Sequence, residues 1–354
     1  MIKSKIYLLS AFLIALSSCT SSKKQQEVEI TSNVDRIILE TDIGNDVDDA
    51  LALDMLYKYL DTDKINLLGI MINKEGVYPA EFVDIMNTWY GYPKIPIGII
   101  HNGIDCENDA INYAKAVCLM QKENGEPTFK RSLQNYDELS EAPVMYRKIL
   151  AQQPDSSVTI ISVGFSTNLA RLLDTPADNI SPLTGKELVA QKVKLLCTMG
   201  GCFDNSNPLE YNVVKDIPAA QKVFAEWPTR LVTSPFEVGI KINYPASSIE
   251  KDFQWATTHP MVEAYKSYQK MPYDRPTWDL TSVLYAVEGP SYFNISAPGH
   301  IVVTDEGATQ FTSDDKGKQY YLTVDSIQAD KIKKHFVELL SLIHISEPTR
   351  PLYI

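Results

Sequence analysis

Glu40-Thr41-Asp42-Ile43-Gly44-Asn45-Asp46-Val47-Asp48-Asp49-Ala50 joins an apolar run ending at Leu39 to a second that begins at Ala50. Five of the ten residues from Glu40 to Asp49 are carboxylates. Side by side they repel, and a desolvated cluster is costly unless it is protonated or bound to a cation. Oxygen donors suit Ca²⁺ or Mg²⁺. Gly44 permits a backbone turn that other residues resist. Asp48 and Asp49 also fall at a helix start, where carboxylates cap free N–H groups. Capping accounts for one or two of the acids but not for five, so the stretch predicts a metal site at a strand-to-helix turn. Other Asp-rich sites fail on spacing. An EF-hand counted from Asp42 needs glycine sixth and glutamate twelfth, where Val47 and Leu53 stand. A phosphatase-type Asp-x-Asp-x-Thr pattern breaks at Gly44, and no Gly-x-x-x-x-Gly-Lys phosphate loop occurs.

Outward from this stretch, strand and helix patterns alternate. Strands are predicted at Arg36–Thr41, Leu67–Ile72, Ile95–Ile100, Val158–Val163, Val193–Met199 and Arg230–Val232, with later ones near Gly299–Thr304 and Tyr320–Val324. Helices are predicted at Asp48–Leu60, Ala80–Trp89, Val144–Gln152, Thr167–Leu173, Ala219–Trp227, Pro260–Met271, Asp279–Val287 and Ala329–Leu340. The strands are apolar without alternation, as when both faces are covered. The pattern predicts an α/β fold, an open, mostly parallel sheet flanked by helices, with its site at the carboxyl ends of the strands.

Composition agrees. The 354 residues are 44% hydrophobic and 22% charged, which excludes wholesale disorder and a multi-span membrane protein. The net charge of −12 repels phosphate backbones, so no nucleic-acid partner is expected. No Cys/His cluster has zinc spacing.

Thr41-Asp42-Ile43-Gly44-Asn45-Asp46-Val47-Asp48-Asp49-Ala50 resembles the N-terminal signature of the nucleoside hydrolases, the inosine-uridine-preferring N-ribohydrolases. Their common form is Asp-x-Asp-Pro-Gly-x-Asp-Asp-Ala. Glu40 stands at the first Asp and Ile43 at the Pro, and two extra residues separate Gly44 from the Asp pair, as in a divergent branch of the family. Ser162-Val163-Gly164-Phe165-Ser166-Thr167-Asn168 is similar to the family's Pro-Thr-Gly-Gly-Leu-Thr-Asn. Met199-Gly200-Gly201, Glu210-Tyr211-Asn212 and Asp216-x-x-Ala219-Ala220 follow its Met-Gly-Gly, Glu-Phe-Asn and Asp-Pro-Glu-Ala-Ala. Trp278-Asp279 takes the place of His-Asp.

The resemblance implies a nucleoside hydrolase fold that binds Ca²⁺ through Asp42, Asp49, Asp279 and the Val163 carbonyl. It implies ribose contacts from Asp48, Glu210 and Asn212, with Met199 lining the sugar pocket, and Asp42 as general base. The implied reaction is attack of water on the anomeric carbon through an oxocarbenium-like transition state, giving free base and ribose. The substrate is a nucleoside or related riboside, and relatives are commonly homodimers or homotetramers. No family role transfers to Asp46, which lies in the two-residue insertion. Trp278 departs from the pattern, because it cannot act as the titrating acid that a histidine supplies. Stacking on Trp278 is expected to help the aglycone leave, with Tyr265, Tyr268 and Tyr273 as further aromatic candidates; His259 is expected at the surface or as a helix cap. Two alternatives follow: a same-fold hydrolase of another glycoside, or a non-catalytic lipoprotein that binds nucleosides or sugars.

The ends read differently. Lys3 and Lys5 precede an eleven-residue run, Ile6–Leu16, that only Ser10 interrupts. It is too short for a membrane span of about 20 residues and reads as a secretory signal. Leu16-Ser17-Ser18-Cys19 resembles a lipobox, so residues 1–18 are expected to be a lipoprotein signal peptide, Cys19 the lipidated anchor and 19–35 a flexible tether. The expected location is exported and lipid-anchored to a bacterial membrane, facing the periplasm or the cell surface. The domain is assigned to 36–340. Residues 341–354 resemble translated sequencing-adapter read-through and contribute nothing to the functional reading. Of the other cysteines, Cys106, Cys118, Cys197 and Cys202, buried free thiols are expected at least as readily as disulfides.

Overall fold

Ile37, Ile38 and Leu39 direct side chains to alternate faces of one strand, yet all three are buried. A strand covered on both faces belongs in the middle of a helix-wrapped sheet. The computed structural model describes residues 34–105 and 109–343. The expected signal peptide, Cys19 and nearly all of the tether lie outside the described residues, as do Cys106 and positions 344–354 of the tail.

Ten strands form the main sheet: β1 (Asp35–Thr41), β2 (Ile65–Ile72), β3 (Ile97–Gly98), β4 (Val158–Ser162), β5 (Val193–Met199), β6 (Arg230–Ser234), β7 (Asn294–Ile295), β8 (Gly299–Val303), β9 (Thr309–Ser313) and β10 (Gln319–Thr323). Their order is β9-β8-β10-β6-β5-β4-β1-β2-β3, with β7 pairing to β10. The run from β3 to β10 is parallel, and β7, β8 and β9 add antiparallel pairs at one side. The fold is thus a mixed, mostly parallel sheet flanked by helices. Order 3-2-1-4-5-6 is that of a doubly wound sheet, whose ligand crevice opens where the winding reverses, between β1 and β4. Register aligns the carboxyl ends there. Thr41 pairs with Ile72, Glu40 with Ser162, Ser162 with Thr198, and Met199 with Ser234.

Helices cover both faces. Asp48–Asp61 is buried from Asp48 through Tyr59, more completely than a one-sided leucine stripe predicts, because the Trp278–Glu288 and Ser326–Leu340 helices pack against it. The helix expected over Pro260–Met271 ends at Tyr268; Pro272 follows, and a proline disfavours helical backbone at the residue before it. The strand expected over Ile95–Ile100 pairs only at Ile97–Gly98, because it lies at the sheet edge. Cys118, Cys197 and Cys202 are buried free thiols. No helix among the described residues is long and apolar enough to cross a membrane.

Candidate active site

The residue after each central strand forms the rim of the crevice. Asp42 follows β1, Asn73 follows β2 and Val163 follows β4. The Asn73 N–H donates to the Thr41 carbonyl (3.0 Å) and the Val163 N–H to the Glu40 carbonyl (2.8 Å), so the rim is pinned by the sheet ladder. Beyond Asp42 the chain turns at Gly44, whose φ of +133° other residues rarely adopt. Tyr113 accepts the Gly44 N–H at 2.9 Å and holds the turn.

All nine residues expected at the site line one cavity of about 230 Å³: Asp42, Asp48, Asp49, Val163, Met199, Glu210, Asn212, Trp278 and Asp279. Asn45, Asp46, Lys74, Asn207, Tyr211 and Phe236 complete its wall. Asp48 and Asp49 do not cap their own helix, whose first N–H is accepted by Asp46 Oδ1 at 3.4 Å. Instead, Thr41 donates its hydroxyl to Asp49, and Asp48 Oδ2 accepts the Asp279 N–H at 3.1 Å, capping a helix 231 residues away. Glu210 caps the Tyr211–Lys215 helix, accepting from Asn212 N (2.9 Å) and Val213 N (3.2 Å) as well as Gly201 N (3.1 Å). The Asn212 amide donates to the Val163 carbonyl (3.0 Å) and the Met199 sulfur (3.2 Å).

Six carboxylates line this space: Asp42, Asp46, Asp48, Asp49, Glu210 and Asp279. Burial pushes Asp42 up to about 6, with Lys74 opposing and Asp46 adding to the rise. Burial also pushes Asp48, Asp49 and Asp279 well above the usual carboxylate range, and neighbouring aspartates push them further. Glu210 rises to about 7, chiefly through burial, against three backbone donors that favour its charge. Asp42 keeps 9% exposure where Asp48 and Asp49 keep 2%, so it has the most access to water of these three; Asp46 is more exposed still and is paired with Arg275. Buried acids that raise one another, with oxygen donors all round, fit a hard divalent cation. The oxygens of Asp42, Asp49 and Asp279 do not all fall within 4.8 Å of one another.

Several contributors, and the buried place that Glu40 takes among them, were not legible in the sequence. Beneath the aspartates, Glu40 is buried; it accepts from the Tyr146 hydroxyl (2.6 Å) and the Asn73 amide (3.1 Å), and burial pushes it up to about 8. Gly164 makes room for this layer, since a Cβ there would lie 2.7 Å from both Asp42 Oδ1 and Asn73 Oδ1. The two-residue insertion is tied down at both positions, Asn45 by Lys74 and Asp46 by Arg275. A polar pair, Asn73-Lys74, directly after an apolar strand is the signal that could have flagged those two residues.

The aromatic expectations are corrected in part. The Trp278 indole N–H donates to the Phe236 carbonyl (3.0 Å), and the two rings stack at 5.5 Å. Tyr265 and Tyr273 stack on each other at 4.4 Å and exchange hydroxyl-to-carbonyl bonds, so they do not line the cavity. Tyr268 lies against Arg275 rather than in the cavity. His259 does cap its helix, accepting from Met261 N, but it is buried beside Tyr90 rather than at the surface. Asn168 and Asp216 of the matching motifs serve the scaffold. Asn168 donates to the Ile72 carbonyl (3.0 Å), and Asp216 caps the Ile217–Glu226 helix.

Residues 37–334 match the family model of the inosine-uridine preferring nucleoside hydrolases. The chain belongs to that family. Among solved structures, this nucleoside hydrolase family member is similar to a plant nucleoside hydrolase (18% identity, TM-score 0.63, covering 87% of this chain and 98% of that one). It is similar also to the inosine-uridine preferring nucleoside hydrolase of Bacillus anthracis (16%, TM-score 0.64, 87% and 99%). A third is the purine-preferring ribonucleoside hydrolase of Gardnerella vaginalis (16%, TM-score 0.62, 86% and 99%). At these identities the likeness shows the shared fold. No curated protein matches the chain.

Proposed function

We propose that the chain hydrolyses the N-glycosidic bond of ribonucleosides, releasing base and ribose, with Ca²⁺ held by Asp42, Asp49, Asp279 and the Val163 carbonyl. The observation that carries this reading is the gathering of the nine expected residues, from segments as far apart as Asp42 and Asp279, in one acidic cavity at the switch point of a family fold. Calcium, when bound, supplies the charge that acidifies a water and anchors sugar hydroxyls.

The chain's own groups do the rest. Asp42 takes the proton from the attacking water as general base. Asp48, Glu210 and Asn212 bind ribose hydroxyls, each keeping acceptor or donor capacity beyond its internal bonds. Met199 packs against the sugar. The surrounding carboxylates favour the positive charge that builds on the ribose in the transition state. Trp278 has given its one N–H to Phe236, so it acts on the aglycone as an aromatic wall and not as a proton donor. Aglycones that depart without protonation should therefore be the better substrates. The protein is proposed to work outside the cytoplasm, tethered by a lipid on Cys19.

The experiment is release of free base from inosine and uridine, and of nitrophenol from 4-nitrophenyl riboside, by the calcium-loaded full chain. Turnover of a nucleoside supports the proposal. Turnover of the nitrophenyl sugar alone points to a site that lacks the help a nucleobase needs to leave, and so overturns the nucleoside as substrate. Tight riboside binding with no turnover of any of the three contradicts hydrolysis and leaves a binding protein.

A further inference from the structure

A second cluster of metal-capable side chains lies behind the cavity wall. Cys202 follows Gly201 after β5, Asp204 lies two residues on, and Glu237 belongs to the short Phe236–Gly239 helix. One potential ligand atom from each lies within 4.8 Å of the other two, the one such trio among the described residues. Cys202 and Glu237 are 3% and 4% exposed, and Asp204 faces solvent. The Glu237 oxygens differ in their surroundings. Oε1 accepts the Phe203 N–H at 3.0 Å, whereas Oε2 is shielded from water and has no hydrogen-bond partner. A buried carboxylate oxygen left in this way costs stability until a proton or a cation reaches it.

The thiol beside it is set up as a ligand. Cys202 Sγ accepts the Asn207 N–H at 3.3 Å and donates to Asp204 Oδ1 at 3.4 Å, so the sulfur already points into the carboxylate pair. Asp204 is held below the usual carboxylate range by the hydroxyl and N–H of Ser206. Burial raises Glu237. Loss of the thiol proton would leave three negative groups this close together, which repel one another unless a cation lies between them.

We propose that Cys202, Asp204 and Glu237 bind a borderline-soft divalent cation, zinc before others, at a site distinct from the acidic cavity. One sulfur and two oxygens suit zinc and leave a fourth position for water, whereas calcium takes oxygen donors. Binding releases the thiol proton, and any proton on Glu237, to solvent; the thiolate supplies the electron pair of the metal–sulfur bond. The ion would join the loop that carries Asn207 to the helix that carries Phe236. Both of those residues line the cavity, so the site would hold one wall of the pocket in place.

The test uses the full chain, reduced and stripped by chelator, then titrated with Co²⁺ in excess calcium. The expected result is one equivalent bound with a thiolate-to-cobalt charge-transfer band, displaced by one equivalent of zinc. Cys202→Ser should abolish the band. Glu237→Gln should weaken zinc binding about tenfold or more, since even outer-sphere partners contribute 10–100-fold. Asp42→Asn should leave the band unchanged, which separates this site from the cavity. Absence of the band, or its persistence in Cys202→Ser, overturns the proposal. Circular dichroism in chelator checks folding; if Cys202→Ser fails to fold, undiminished zinc affinity in Glu237→Gln overturns it instead.

Discussion

Gly164→Ala should damage the site with a single methyl group. Gly164 does not have a positive φ, so alanine meets no backbone penalty and the effect is steric. Its Cβ would lie 2.6 Å from the Asp42 nitrogen and 2.7 Å from Asp42 Oδ1 and Asn73 Oδ1, short of ordinary 3.4 Å contact by 0.7 to 0.8 Å. The nitrogen belongs to backbone anchored beside β1, so relief requires β1 and β4 to part at their carboxyl ends or Asp42 to turn aside. Overpacking of this kind costs about 1–3 kcal/mol, offset by about 0.4–1 kcal/mol from the stiffer unfolded chain, for a net loss of about 1–2 kcal/mol. A misplacement near 1 Å costs on the order of 100-fold in rate, so kcat/KM should fall about 10–100-fold, or about 1.4–2.7 kcal/mol of transition-state stabilisation. Urea unfolding in chelator reads the first quantity, and hydrolysis of 4-nitrophenyl riboside reads the second. A Gly164→Ala protein with unchanged unfolding midpoint and unchanged kcat/KM would refute the claim that contact between the β1 and β4 ends sets the position of Asp42.

Asp42→Asn should lower kcat about 10²–10⁴-fold, the usual range for a general base, while its melting temperature in chelator stays level or rises because one mutually repelling acid is gone; activity close to the parent's removes Asp42 as base. Trp278→Ala should lower inosine hydrolysis about two- to tenfold, from a lost aromatic contact of roughly 0.5–1.5 kcal/mol, and lower 4-nitrophenyl riboside hydrolysis by less; equal falls would exclude a specific part in leaving-group departure. The Arg147 guanidinium holds Asp178 down to about 2, from an ordinary 3.8. A depressed folded pKa gives stability that is present above 3.8 and is lost as pH falls towards 2. Asp178→Asn should therefore flatten the acid limb of stability over that window, and an acid-unfolding curve that keeps its slope contradicts the assignment.

The parts of this molecule legible in the sequence were those written in adjacent residues. The apolar strands and the long helices carry their periods over seven or more positions, and the carboxylates of Glu40–Asp49 sit beside one another. Short elements escaped, because one turn such as Tyr113–Cys118 does not establish a helical period. Thr309–Ser313 escaped because an exposed edge strand needs few apolar residues. The second layer of the site was hidden for another reason. Asn73 and Tyr146 are isolated polar residues that only strand order brings to Glu40, and Arg275 reaches Asp46 across 229 positions. Tyr265 and Tyr273 show the converse. Their composition suggested a base-binding wall, but their rings and hydroxyls are engaged with each other, which no spacing along the chain reveals.

The measurement that bears most directly on the carboxylate cavity is calorimetric titration of the chelator-stripped full chain with calcium, paired with its thermal unfolding. One ion should bind per chain. At a hundredfold excess over its dissociation constant it should stabilise the fold by about 2.7 kcal/mol, and Asp279→Asn should lose most of both signals. A chain that takes up no calcium and melts at the same temperature with and without it would contradict the account.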